Sequence, residues 1–488
     1  MAVLRDDQYM PVEDLQFGDS ISGLLVDGVD GTPYVGATIR MTKDKGVTVE
    51  VPYLPDRGVQ QFDHVQAWFD SRTPPHNMLM LTPTGSISLF DIAWSGHSET
   101  WGATRTSLGT LKPELAVLGH RDPPLVDALV MKELHSWLDG LNEWSHLTSV
   151  RTERETNEDA RVQSVTMTLE ADAGLTWRQG NATMTVRAGW MQSSERNGYE
   201  RKNTVHDNVA ISSTFETGPA PFWDHFVEQR KVANLMVFLF GRPLSFRKHR
   251  LRDDLFARRA NNGHVYSTPL THLVSRHTYR EQAVEVPTAK QLGRPIAYLS
   301  DIRTDGLEVW SQKYAAWHRF IVPSVSVLGR ANAFIEDVIL STSMSMEAAG
   351  GIIGERPGER ETWSRGGRPR PTTATYVYRC LDVLNVRWPE GVNNMTGLSR
   401  AIADTYNDVK HYDRGDFPGH EESYVVSEIS QMIVRLLAIH VTGRGDDLLT
   451  TYRESDQFYK IKQTLDAYRL SVVESGQWVR DAEESPAT

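Results

Sequence analysis

Cysteine is almost absent from this 488-residue chain. Cys380 stands alone, so no intrachain disulfide can form and no thiolate zinc site can be assembled. That usage fits a reducing compartment. Long apolar runs are also lacking. The longest, "VANLMVFLFG", reaches about half of the ~20 residues that a membrane-spanning helix needs, and the opening "MAVLRDDQYMPVEDLQFGD" carries acids where a secretory leader needs an apolar stretch. The expectation is a cytoplasmic protein with no membrane partner. Positive charge is in deficit too, with 63 acids against 52 Lys and Arg and a formal charge of −11. A surface of that sign does not grip polyanions everywhere, so any nucleic-acid site must be a local pocket.

Metal and phosphate motifs are missing in the same way. "GGIIGERPG" is followed by no Gly-Lys-Ser/Thr and fed by no strand, which excludes a phosphate-cradling loop. His135 and His146 lie three turns apart on one predicted helix and cannot share an ion there. No metal and no cofactor is expected.

What the chain does contain is an ordinary globular mixture, 40% hydrophobic and 24% charged with thirteen Trp, in a length too great for one core. From Leu15 to about Ala220, short alternating runs are separated by Gly, Asp, Asn and Pro. "GATIRMTKDKGVTVEVPYL" predicts a hairpin with a Lys-Gly turn, and "NMLMLTPTGSISLFDIAW", "RVQSVTMTLEADAGLTWRQGNATMTVRAGWM" and "HDNVAISSTFET" predict at least six further strands. Inside this region "PLVDALVMKELHSWLDGLNEWSHL" repeats its apolar residues every three to four positions and predicts a helix, with the tryptophans of "WLDGLNEW" in the core. A second helix is expected at "PFWDHFVEQRKVANLMVFLFG", stopped by Gly241 and Pro243.

Past about Tyr314 helical periodicity dominates. "VSVLGRANAFIEDVILSTSMSMEAAGGII" predicts a helix ending at a Gly pair, and "GERPGERETWSRGGRPRPTTA" predicts a mobile loop whose Arg residues are candidates for nucleic-acid contact. Helices are expected in "TATYVYRCLDVLNVRW", "TGLSRAIADTYNDVKHY", "EESYVVSEISQMIVRLLAIHVTG" and "DQFYKIKQTLDAYRLSV". The fold class is therefore α+β. A β-rich sandwich or barrel-like domain spans 1–300, a connecting segment 301–325, a helical bundle 326–475 and a disordered tail 476–488.

The chemistry points to "DTYNDVKHYDRGDFPGHEE". Here Asn407, Lys410 and His411 fall at a helix end that opens into Gly and Pro. Imidazole is the side chain whose ordinary pKa lies nearest neutrality, hence a candidate general base or acid. A neighbouring cation stabilises charge developing on a phosphate. Together they meet the needs of metal-free RNA cleavage, in which the ribose 2′-hydroxyl attacks its own phosphate.

"ADTYNDVKHYD" following "AFIEDVILSTSMSMEAA" resembles the HEPN ribonuclease domain, and most closely the ApeA-like HEPN group. The β-rich half is similar to the N-terminal domain fused to it. The resemblance implies a bacterial antiphage protein of the abortive-infection type, acting as a homodimer. Its HEPN site would cut RNA, tRNA included, and its N-terminal domain would sense a phage protein. It further implies that His411 is the catalytic histidine and Asn407 the polar residue of the motif. Tyr406 occupies the position of the family's arginine. A phenol is no phosphate clamp, so the positive charge would have to come from Lys410, Arg414 or Arg400. The alternative is a HEPN protein that has lost cleavage and serves as a dimerising module that binds RNA or protein.

Two other stretches carry weaker signals. "RLLAIH" has Arg435 and His440 at HEPN-like spacing, but on an unbroken helix His440 joins an apolar stripe and Arg435 points about 140° away. The expectation is a half-buried His and a solvated Arg. "FRKHRLRDDLFARRANNGH" is a candidate RNA-backbone patch through Arg247, Lys248 and Arg250, against the blander reading of a solvated amphipathic face balanced by Asp253 and Asp254. Cys380 is expected to be a buried small hydrophobe.

Overall fold

The computed structural model describes residues 11–29, 31–55, 60–100, 105–119, 127–170, 173–260, 262–364, 366–411 and 418–480. The chain begins with β1 (Ser20–Val26), β2 (Val35–Thr42) and β3 (Gly46–Tyr53), then helix α1 (Asp63–Asp70), β4 (Met78–Thr82), β5 (Gly85–Thr100) and β6 (Thr106–Leu118). These six strands pair antiparallel in the order β6-β3-β2-β1-β4-β5, and β5 returns to β6, so the set closes into a barrel. Period-two patterning explains the closure. On β2, Val35, Ala37, Ile39 and Met41 are buried while Gly36 and Arg40 face out, and the inward residues of all six strands fill one core with Trp68 and Phe69 of α1. The predicted hairpin is β2 and β3. Its turn ends at Gly46, where φ is +72° and a Cβ would meet the Tyr279 ring at 2.9 Å, so the position leaves no room for a side chain.

Next come β7 (Val130–Met131), β8 (Glu133–Leu138), the short helix α2 (Leu141–Ser145), β9 (Val150–Thr156), β10 (Val162–Leu169), β11 (Gly174–Gln179), β12 (Ala182–Arg196), β13 (Arg201–Phe215) and β14 (Ala220–Pro221). Helix α3 (Phe222–Phe240) leads to β15 (Phe246–Arg252), β16 (Arg258–Arg259), β17 (Val265–Ser267), β18 (Thr271–Ser275), α4 (Tyr279–Gln282) and α5 (Ala289–Leu292). The barrel's β6 also pairs with β18, and the sheet continues as β18-β15-β8-β13-β12-β11. One face of this open half packs on α3, and the other faces outward.

The helix expected over 124–147 is corrected. Its described part forms β7, β8 and α2, because Leu134, Ser136 and Leu138 alternate inward against His135 and Trp137. Leu134 and Leu138 stand four apart, so the same apolar residues satisfy both the helical and the strand period. Trp144 is fully buried, as expected of a core residue, whereas Trp137 is only half-buried.

The helical region contains α6 (Leu299–Lys313), α7 (His318–Leu328), α8 (Ile335–Ile353), α9 (Thr373–Leu384), α10 (Met395–Lys410), α11 (His420–Val441), α12 (Gly445–Leu448), α13 (Thr450–Glu454) and α14 (Tyr459–Tyr468), closed by the hairpin β19 (Leu470–Val472) and β20 (Trp478–Arg480). The chain is thus α+β, a barrel-containing β region followed by helices. The segment 301–325 is no bare connector. It forms most of α6 and α7, with Trp310 and Phe320 buried against Phe238 of α3. One continuous core joins the open sheet, α3 and the helices. The tail expected from 476 starts as structure, since Trp478 pairs with Val472.

The helix expected to stop at the Gly pair instead runs through Gly350 and Gly351 to Ile353. A Cβ at Gly350 would meet the Tyr376 carbonyl oxygen at 2.5 Å, so this glycine is where α8 and α9 touch rather than a terminator. The loop expected to be mobile is pinned as well. Arg379 donates to both carboxylate oxygens of Glu359 at 2.7 and 2.8 Å, with both side chains buried, and Arg356 pairs with Asp382. Helix α11 has the length and composition of a membrane span, but 67% of its apolar window is buried within the fold, as expected of a central bundle helix.

Arg435 on α11 is corrected from solvated to clamping. Its guanidinium donates to the carbonyls of Phe238 and Leu239 at 2.9 and 2.8 Å, two C-terminal carbonyls of α3 that lack a partner within the helix. Replacing Arg435 by Ala is expected to lower stability by about 2 kcal/mol, the scale of losing charge-assisted hydrogen bonds. Urea midpoints of the two proteins measure this, and an unchanged midpoint would show the clamp to be idle.

Candidate functional site

Helix α10 builds the site predicted at residues 404–411. Asn394 caps its start by accepting from the Gly397 N–H at 2.7 Å. Leu398, Ala401, Ile402, Thr405 and Tyr406 then bury one face in the bundle, so the spacing that makes the helix amphipathic also fixes which residues of the motif are inside. The last helical hydrogen bond runs from the His411 N–H to the Asn407 carbonyl at 2.9 Å. His411 itself leaves helical geometry, with φ −116° and ψ 92°, which frees the imidazole from the helix surface.

Four side chains of the motif lie in this final turn, on different sides of it. Tyr406 is 3% exposed and belongs to the core. Lys410 reaches back one turn, its Nζ 3.3 Å from the Tyr406 hydroxyl and 5.1 Å from the ring centroid. The phenol thus anchors the ammonium beside the helix end through a hydrogen bond and a cation–π contact. Asn407 and His411, four residues apart, are both half-buried. The last turn of α10 thus carries an imidazole, an amide and a held ammonium. Asp404 and Asp408 are the acids of the same turn of sequence.

The remaining predicted RNA contacts are not gathered here. Arg400 is spent on the fold, donating to the backbone carbonyls of Glu474 and Glu361, so it is corrected from a free cation to a strap between α10 and its neighbours. Arg414 lies outside the described residues. Arg247, Lys248 and Arg250 sit on β15 in the sheet region. A register shift between Phe246 and Lys248 turns Arg247 aside to pair with both carboxylate oxygens of Asp139, at 2.7 and 2.6 Å, and with the carbonyls of Val284 and Glu285. Arg247 is therefore corrected to a structural residue. Lys248, Arg250 and Arg252 alternate outward while His249 and Leu251 point at α3, so this basic stretch is an amphipathic strand whose Lys248 and Arg250 are half-buried.

At "RLLAIH" the spacing is helical and uninterrupted. Arg435 holds α3, and burial holds the His440 imidazole below its ordinary range, with Lys313 adding to the effect. Cys380 is buried, its thiol raised in pKa by desolvation and donating to the Met346 carbonyl. Among the described residues, no group of three or more His, Cys, Asp and Glu forms a metal site.

Residues that sequence reasoning missed lie on the outward face of the open sheet. His135 and Trp137 were hidden by the helical reading of their segment, and Arg187 carries no local motif. Alternation within "KHRLR" and "ELHSWL" is the signal that would have found His135, Trp137 and Arg252. No family model, curated protein or solved structure matches the chain.

Proposed function

We propose that this protein is an RNA endonuclease of the ApeA-like HEPN type, a cytoplasmic antiphage protein of the abortive-infection kind. The single observation that carries the reading is the last turn of α10, where Asn407, Lys410 and His411 stand together at a helix end, with the ammonium held by Tyr406. In the proposed reaction His411 takes the proton of a ribose 2′-hydroxyl. The oxygen attacks the adjacent phosphorus, the bond to the 5′-oxygen breaks, and a protonated imidazole returns a proton to that leaving oxygen. The products are a 2′,3′-cyclic phosphate and a 5′-hydroxyl, with no net redox change. Lys410 offsets charge on the non-bridging oxygens, and Asn407 orients the phosphate. A homodimer would bring two such helix ends to one RNA, and the N-terminal β region would sense the phage trigger.

A second reading is favoured by the burial of Tyr406, which fills the core where the family carries a guanidinium facing substrate. On that reading the helices dimerise and bind RNA or protein without cutting. Incubation of purified protein with total tRNA in EDTA decides between them. Cleavage that falls about a hundredfold in His411→Ala, the scale of losing a general acid–base group, supports the nuclease. No cleavage by the unmodified protein leaves the binding module, and equal cleavage by both proteins removes His411 from the chemistry.

A further inference from the structure

The outward face of the open sheet carries a cleft of about 920 Å³, within the size range of small-ligand sites. Strand register builds it. Thr185, Ser212, His135 and Arg250 lie side by side across β12, β13, β8 and β15, and His272 on β18 continues the row into the adjoining cavity. Beside that row, Trp137 pairs with Lys248 and Arg187 with Ala210. The projecting end of the β12–β13 hairpin, with Trp190 44% exposed, lines the cleft at one side, and Val286 and Pro287 line it as well.

The charge in this cleft opposes that of the whole chain. Five cations line it against three carboxylates, and two of the three are already committed. Asp139 holds Arg247, and Glu133 is shared by His135 at 2.8 Å and Arg252 at 3.1 Å. Lys248, Arg250 and Arg187 have no ion-pair partner among the described residues. The Arg250 Nε is buried in this cleft without a hydrogen-bond partner, as is the His272 Nδ1 in the adjoining cavity. Lys248 is held below its ordinary range by burial and by Arg250. A desolvated cation and an unpaired buried guanidinium nitrogen are costly, and the gathering of Lys248, Arg250 and Arg187 in one concavity marks a place for an anion. The guanidinium of Arg250 also lies 5.8 Å from the centre of the Trp137 ring, putting a stacking surface beside the charge. A second cavity of about 470 Å³ shares Arg250 and Leu270 with the first and adds Arg259 and Tyr266, so the same chemistry continues along the sheet.

We propose that this cleft binds nucleoside phosphates, with phosphate oxygens on Lys248, Arg250 and Arg187 and bases stacked on Trp137 and Trp190. Free nucleotide and single-stranded RNA present the same groups, and the test separates them. The site is distinct from the end of α10 and does not rest on the ribonuclease reading. The strand arm uses the His411→Ala protein, so binding is measured apart from cleavage.

The full-length protein is titrated with ATP and, separately, with fluorescein-labelled decauridylate in 50 mM salt without metal. Anisotropy reports the strand, and tryptophan fluorescence reports both ligands. At least one is expected to bind, with Kd raised tenfold or more in Lys248→Ala/Arg250→Ala. Arg187→Glu, an exposed position on a different strand, is a second variant that guards against misfolding of the first. Strand binding whose affinity falls steeply with salt assigns the cleft to RNA, and ATP binding alone assigns it to free nucleotide. Binding of neither ligand, or binding untouched by both variants, overturns the proposal.

Discussion

Replacing Arg379 by Ala is expected to destabilise the helical region by about 3–5 kcal/mol, the cost of stranding one member of a buried ion pair. Arg379 and Glu359 are 7% and 4% exposed in their side chains. The guanidinium makes a two-pronged contact with the carboxylate and donates a third hydrogen bond to the Gly350 carbonyl at 3.2 Å. The Arg379 hydrogen bonds hold the Glu359 carboxyl below its usual range, so removing Arg379 leaves a buried carboxylate without its cation, with the Arg356 N–H at 2.8 Å still donating to it. The same contacts pin the 354–371 loop to α9 and to the end of α8, so its proteolytic susceptibility should rise with the loss of stability. Urea midpoints for Arg379→Ala, Glu359→Leu and the double variant Arg379→Met/Glu359→Leu provide the check. The double variant should recover most of the loss, because two apolar groups of similar volume leave no unpaired charge. A double variant as unstable as the sum of the singles would locate the stability elsewhere.

Acid is expected to weaken the protein from about pH 6.5 downward, well before carboxylates titrate. Burial lowers the imidazoles of His249 and His272 to about 3. For His249 the cations adding to burial are Arg230 and His272 when charged, and for His272 they are Lys248 and Arg250. His249 lies 2.7 Å from the Ser136 hydroxyl and 3.1 Å from the Thr278 hydroxyl, with no carboxylate among its hydrogen-bond partners. Between pH 6.5 and 3 the unfolded chain binds a proton at each ring and the folded chain does not. Stability therefore falls as pH falls through this window, by about 1.4 kcal/mol per pH unit per ring. At pH 5 the two rings together should remove about 4 kcal/mol relative to neutrality. Burial lowers His225 and His440 as well, which adds to the same trend. Urea unfolding at half-unit steps from pH 7.5 to 5 measures the slope, and His272→Gln should reduce it by one ring's share. A midpoint that stays level to pH 5 would mean that these imidazoles are accessible to protons in the folded state.

Local periodicity was enough for much of the architecture. The β2–β3 hairpin, α3, and the helices α9, α10 and α11 follow from alternation, three-to-four spacing and the Gly or Asn that end them. Tyr406, Asn407, Lys410 and His411 were legible as a group because they are neighbours on one turn. Where two periods fit the same residues, as in "KELHSWL", the choice depended on whether a neighbouring strand was available. Strands β13 and β15 on either side of β8 supplied it.

What the sequence by itself determined was the α+β division, the inward faces of the regular elements and the contents of the α10 turn, since each depends on residues within one or two turns of one another. Only the tertiary structure decided the fate of the charges. Arg435 meets its α3 carbonyl 197 residues away, Arg247 its Asp139 at 108, and Arg379 its Glu359 at 20. Lys248 and Arg250 form no ion pair among the described residues, Asp14 acting on Lys248 only from a distance. A charged side chain is assigned by the partner that desolvates with it, and that partner comes from chain closure over distances to which no local pattern responds.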